Sequence, residues 1–418
     1  MKKFAFFFAL LIFAKLSYAL TVDDVLKDVK SLPAVKITYP DKEDKQTEKY
    51  DIVNYDKIKA VQIFVLPSDK DEIKALFSKW YESGVNTIIV RCFHNNGDRF
   101  HGAKKSHIKE GVYFKTDEAP IIYDVLEEII PIAKSFNLKV IAWMTTRYAN
   151  YGENSFEPLI AFSLEQRKTI KSKGMNILSP TVQERILKIF QDLASYPIDG
   201  ILLQDDLFLR YNEGFNNNTV RLFKEETGKD AKPELFFVKI NGKIIYTDAF
   251  WEWRRWKSQK IAELVGKINK KVKQKNPSLK LIVNLTYEAV SNPKGALAWL
   301  AHDLSALKEV ADYFSLMAYH RHIMDELNLD FYHTKQYLQA MINQCISTLP
   351  DAPQRFLFKI QVKDWETNEQ INEAELRSLL SSASGIEHLS LAVVPYPPDL
   401  SEALLKDIFY KKTLSKNR

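Results

Sequence analysis

The chain has 418 residues, of which 27% are charged, 46% hydrophobic and 12% aromatic, with 13 Gly and 16 Pro. Disorder, collagen-like repeats and a small disulfide scaffold are excluded by that composition. A formal charge of +6 falls to +3 once Lys2, Lys3 and Lys15 of a removable leader are set aside, so whole-protein charge gives no argument for nucleic-acid binding.

Residues 1–19 read as a secretory signal peptide. Lys2 and Lys3 form a basic start, Phe4–Ala14 is an unbroken apolar run, and Ser17-Tyr18-Ala19 is a small-x-small cleavage site. The apolar run of 11 residues falls short of the roughly 20 that span a bilayer. Cleavage after Ala19 and export, to a periplasm or the medium, are expected. Residues 20–58 are polar and rich in Lys and Asp, with a short helix expected over Val22–Lys30 and then a solvated connector.

From residue 59 to 418 two textures alternate. Strands are predicted at Ala60–Leu66, Thr87–Phe93, Lys139–Met144, Gly200–Leu203, Lys280–Leu285, Tyr313–Ala318, Phe356–Val362 and Leu389–Val394. Helical spacing fills Asp71–Ser83, Tyr123–Phe136, Thr181–Ser195, Asp248–Gln274, Ala296–Glu309, Lys335–Thr348 and Glu373–Ser384. The strands are apolar on both faces, as buried parallel strands are. Eight such units predict an α/β fold, a (β/α)8 TIM-type barrel with loop insertions. One insertion is a hairpin over Phe236–Tyr246 around Asn241-Gly242, a favoured two-residue turn. A doubly wound sheet would want a Gly-rich turn after its first strand, and Val65-Leu66-Pro67-Ser68-Asp69 is not one.

In a barrel, function sits at the C-terminal ends of the strands. Those ends carry Asp98, Trp143, Tyr148, Asp205 with Asp206, Asn284, Tyr287, Glu288, Tyr319, His320, Asp364, Trp365 and Tyr396. Such a set suits a carbohydrate cleft, where aromatic faces stack on sugar rings and carboxylates bind hydroxyls and move protons. The sharpest segment is Ile198-Asp199-Gly200-Ile201-Leu202-Leu203-Gln204-Asp205-Asp206. Two adjacent carboxylates beside an apolar core raise one pKa, which keeps a general acid protonated near neutrality. The plainer alternative is that both cap the next segment or pair with Arg210.

Residues 198–206 resemble the strand-ending Asp-Gly-Ile-Leu-x-x-Asp-Asp motif of the PgaB C-terminal glycoside hydrolase domain, of the poly-β-1,6-N-acetyl-D-glucosamine deacetylase/hydrolase family. Gly84-Val85-Asn86-Thr87, Gly111-Val112-Tyr113-Phe114, Val140–Met144, Leu178-Ser179-Pro180, Leu316-Met317-Ala318 and Val362-Lys363-Asp364-Trp365 agree in order, over about residues 60–400. The resemblance implies cleavage of the partially deacetylated polymer, with Asp205 as general acid, Asp199 and Asp206 supporting it, and Trp143 and Trp365 beside the sugar groove. The implied partners are the polysaccharide and an outer-membrane export machinery.

The chain departs from the family in three places. No deacetylase motif precedes residue 60, so deacetylation is not expected. Tyr319-His320-Arg321-His322-Ile323 replaces the family's x-Pro-Tyr-x-Glu, leaving Glu288, Asp325 or Glu326 as substitutes for the missing carboxylate. The second strand end, His94–Asp98, lacks the family's earlier Asp. A non-catalytic polysaccharide-binding or export module, or a hydrolase of another amino-sugar polymer, is the alternative.

Other features have plainer readings. His320 and His322 would share a strand face, but catalytic zinc takes three protein ligands, so neither metal nor cofactor is expected. Trp251, Trp253 and Trp256 with Arg254 and Arg255 read as a packing cluster, or else as a stacking wall. Lys267–Lys275 is a solvated helix face, and Cys92 a small buried hydrophobe.

Overall fold

The computed structural model describes residues 55–96, 98, 108–153, 155–240, 243–396 and 400–410. The signal peptide, the Val22–Lys30 helix and the Asn241-Gly242 turn lie outside the described residues. Eight parallel strands close into a barrel: β1 Lys59–Ile63, β2 Thr87–Arg91, β3 Lys139–Met144, β4 Gly200–Leu203, β5 Lys280–Thr286, β6 Tyr313–Met317, β7 Phe356–Gln361 and β8 Ser390–Val394. Each pairs with its sequence neighbours, and β1 closes on β8 through Lys59–Val61 against Leu391–Val393. This is the (β/α)8 barrel that the alternation predicts.

Every strand is followed by a helix that covers it. These are α1 Lys70–Glu82, α2 Val125–Ser135, α3 Pro180–Leu193, α4 Asp248–Lys275, α5 Pro293–Leu300, α6 Phe331–Thr348, α7 Glu373–Ser382 and α8 Glu402–Phe409. Local chemistry sets their starts. Asp69 caps α1 by accepting from the N–H groups of Asp71 and Glu72, and Pro180 opens α3, its fixed φ suiting the first turn. Gly200 begins β4 because the barrel is tight there: a Cβ would lie 3.0 Å from the Lys280 carbonyl oxygen and 3.2 Å from the Ile282 side chain. On α4 the lysine run keeps Ile268 and Val272 fully buried.

The structure departs from the periodicity in the loops. The helix expected over Ala296–Glu309 is broken into Pro293–Leu300 and Leu304–Leu307, because Ala301 takes a left-handed conformation (φ 56°) and His302 turns in to the Leu207 carbonyl at 3.2 Å. A second antiparallel hairpin, Pro158–Ser163 with Lys168–Met175, has no alternating pattern because its outer strand is largely exposed. Residues 217–227 and 402–409 are also helical beyond expectation. His320 and His322 sit in the short helix His320–Leu327, not on a strand face.

The tryptophan cluster at the start of α4 is mainly packing. Trp253 and Trp256 stack at 5.1 Å, Phe223 meets Trp253 edge-on at 4.9 Å, and Trp253 and Arg254 are fully buried. Trp253→Ala is therefore expected to cost about 3–5 kcal/mol in urea unfolding, against less than about 0.5 kcal/mol for the exposed Arg255→Ala.

Candidate active site

At the barrel mouth β4 ends in Gln204-Asp205-Asp206, and the two carboxylates divide their tasks. Asp206 is buried and accepts from four donors on the β3 exit: Thr145 Oγ1 at 2.6 Å, Thr146 N at 3.0 Å, Thr146 Oγ1 at 2.8 Å and Tyr148 N at 3.0 Å. It ties two strand ends together and has little left for a substrate. Asp205 is partly exposed, and no side chain among the described residues donates a hydrogen bond to it as those do to Asp206. Burial pushes its pKa up, the Asp206 charge adds to the rise, and the Lys359 ammonium opposes both, leaving it at about 6. Such a group holds its proton at a pH where an ordinary aspartic acid has lost it.

Lys359 is a feature the sequence reading missed. It lies inside the barrel on β7, 1% exposed, and donates to Asn284 Oδ1 of β5 at 2.9 Å. Burial depresses its pKa to about 7, while Asp205 holds it up. The signal was present: a lone lysine in the apolar run Phe356–Ile360, two residues from Gln361, is an inward-facing polar layer on a period of two. Gln62, Asn284, Ser315 and Gln361 are buried with it.

Aromatic rings form an arc over this floor. Trp143 at the end of β3 meets Phe64 beyond β1 at 4.9 Å, Phe64 meets Trp365 at 6.1 Å, and Trp365 meets Tyr319 edge-on at 5.5 Å. Trp143 also donates its indole N–H to Gln204, the residue before the acid. Burial pushes the Tyr319 phenol up, and the Asp205 charge adds to the rise. Phe64 was missed because it reads as the tail of an apolar strand.

The remaining predicted residues divide. Glu288, just beyond β5, is partly exposed, and burial with the Glu326 charge pushes it up to about 7. Tyr287 is buried and donates to Glu326 Oε2 at 2.9 Å. Tyr148 lies half-buried with Lys173 Nζ at 4.6 Å from its ring, and Asp98 is held near Arg91 at 3.8 Å. Four others stand as corrections, because the contacts they make within the fold take them up. Asp199 lies at the opposite end of β4, accepting from Val140 N at 2.8 Å. His320 is fully buried against Glu375 Oε1 at 2.9 Å. Asp364 caps its own turn through Glu366 N and Thr367 N and takes Arg321 at 3.2 Å. Tyr396 packs edge-on against Trp80 of α1 at 4.9 Å.

The loop that follows Asp205 is fixed from outside. Arg254 donates to the carbonyls of Leu209 and Arg210, and Lys257 to that of Glu213. Glu213 pairs with Arg147 at 2.9 Å, both buried; this ion pair and Arg210 hold its carboxyl down at about 2 against the burial that would raise it.

The family model of hypothetical glycosyl hydrolase family 13 matches residues 67–391, from the start of α1 into β8. The chain belongs to that family. Among solved structures, this family member is similar to the PgaB (BpsB) glycoside hydrolase domain from Bordetella bronchiseptica, with a TM-score of 0.66 and 16% identity over 85% of this chain and 99% of that one. It is also similar to β-galactosidases from Marinomonas ef1 (TM-score 0.56, 11% identity, 85% of this chain and 59% of that one) and Bacillus circulans sp. alkalophilus (0.51, 13%, 81% and 50%). No curated protein matches in sequence. Identities this low speak for a shared barrel, and the family match adds the hydrolase class.

The raised Asp205 has a stability consequence. Its folded pKa lies above the unfolded value, so stability is complete below about pH 4 and is lost as pH rises through about 6. Asp205→Asn is expected to raise stability at pH 8, by at most about 3 kcal/mol, and not at pH 4, as read from urea melts at the two pH values.

Proposed function

We propose that this family member is an exported, endo-acting glycoside hydrolase that cleaves a β-1,6-linked, partially deacetylated N-acetylglucosamine polymer. One observation carries the reading: Asp205 sits at the end of β4 with its proton held by burial, beside an arc of Trp143, Phe64, Trp365 and Tyr319 on which sugar rings can stack. The choice of polymer rests on the resemblance of residues 198–206 and on the likeness to the PgaB domain.

In this reading Asp205 gives its proton to the glycosidic oxygen as the bond to the anomeric carbon breaks, and the leaving sugar departs neutral. Water supplies the new oxygen at that carbon. Glu288 is the second carboxylate we assign, since a pKa near 7 suits a group that takes up the proton of water. Asp206 fixes the strand end that presents the acid. Export follows from residues 1–19, with cleavage after Ala19, and an outer-membrane export machinery is the partner proposed with it.

The test is digestion of the partially deacetylated polymer with residues 20–418 and with Asp205→Asn, read by mass spectrometry. Fragments from the wild type and none from the variant are expected. Retention on the polymer without fragments from either protein would instead make the chain a binding module. The pH profile gives a second check. With Asp205 active when protonated and Glu288 active when ionised, kcat/KM is expected to peak between about pH 6 and 7 and to fall about tenfold per pH unit on either side, the alkaline limb beginning near pH 7. Lys359→Met removes the cation that favours ionised Asp205, so that limb is expected to move to higher pH.

A further inference from the structure

Away from the cleft, five aromatic side chains form an unbroken edge-to-face series along the rim. Trp299 of α5 meets Tyr211 at 5.3 Å, and Tyr211 meets Phe237 of the inserted hairpin at 6.1 Å. Phe237 meets Tyr246 at 6.0 Å, and Tyr246 meets Trp251 of α4 at 6.2 Å. All five keep contact with solvent. Trp299 is 37% exposed, the one exposed tryptophan among the described residues.

Packing accounts for the inner members, since Tyr246 stacks on the buried Phe250 at 4.1 Å. It does not account for Trp299, on a helix face open to water where a polar residue would serve folding as well. The strip also has a fixed relation to the acid. Tyr211 lies on the loop that starts at Asp205, whose backbone is held by Arg254, by Lys257 and by the Leu209 N to Leu300 O bond at 3.1 Å from the end of α5.

We propose that this strip is a second glycan-binding site, outside the cleft, that takes an uncharged, N-acetylated run of the polymer. It rests on the polysaccharide reading above. Aromatic faces bind the C–H faces of sugar rings. Lys294 Nζ lies 5.1 Å from the Trp251 ring, so cationic glucosamine is disfavoured at that end of the strip. Continuity with the acid's loop is what makes the occupant the polymer, because Tyr211, on the loop that follows Asp205, is itself a member of the strip through its contacts with Trp299 and Phe237.

The test measures binding in the Asp205→Asn background, where polymer is not consumed, using acetylated poly-β-1,6-N-acetylglucosamine and a trisaccharide too short to reach from the cleft to the rim. Trp299→Ala, at an exposed helical position that accepts alanine, is expected to weaken polymer binding about tenfold, with trisaccharide affinity held at the parent value. Trp251→Ala should act in the same direction, and Trp365→Ala should weaken both ligands. Parent-like polymer binding by both Trp299→Ala and Trp251→Ala would overturn the strip while leaving the cleft reading in place. A parent that binds neither ligand would overturn both. Equal losses on the fully deacetylated polymer would overturn the preference for uncharged sugar.

Discussion

The arrangement depends on one fixed charge. Asp206 is locked by four donors from the β3 exit, so its carboxylate cannot turn away when the neighbouring Asp205 ionises. Burial and that immobile neighbour make a proton costly to lose, and Lys359 below limits the cost. The same bonds join β3 to β4, so the groups that hold the barrel mouth together also add to the raised pKa of the partly exposed Asp205.

Much of this was legible in the chain. The eight strands are found where β-branched and aromatic runs predict them, because parallel strands buried on both faces leave short, unmistakable apolar blocks. Strand-end position also selected Asp205, Trp143, Tyr319 and Trp365, which the fold gathers at one mouth. What the sequence hid were facts of direction. Adjacency cannot say which of Asp205 and Asp206 is engaged; Asp199 already stood at the start of its predicted strand, and only the resemblance gave it a supporting role. Burial of His320 depends on Glu375, more than fifty residues away, and no local pattern announces such a partner. Lys359 was overlooked for the opposite reason: a single charge in an apolar strand is easily taken as noise, and it is the best marker of an inward polar layer.

Raised carboxyls and aromatic rings share the barrel mouth, and a second group of rings lies beyond it. The raised carboxyls Asp205 and Glu288 lie at the exits of neighbouring strands β4 and β5, while aromatic rings lie both across the mouth and outward over the inserted hairpin.

The long helix α4 reaches inward with Arg254 and Lys257 to hold the carbonyls of the loop that carries the acid. That loop is thus not a module. Transplanting residues 205–216 into another barrel would carry the carboxylate without its scaffold, and the recipient would have three carbonyls seeking donors it does not possess. Moving this site to another scaffold would have to carry loop and helix as one unit, so α4 belongs to the site although none of its side chains reaches the mouth's acid.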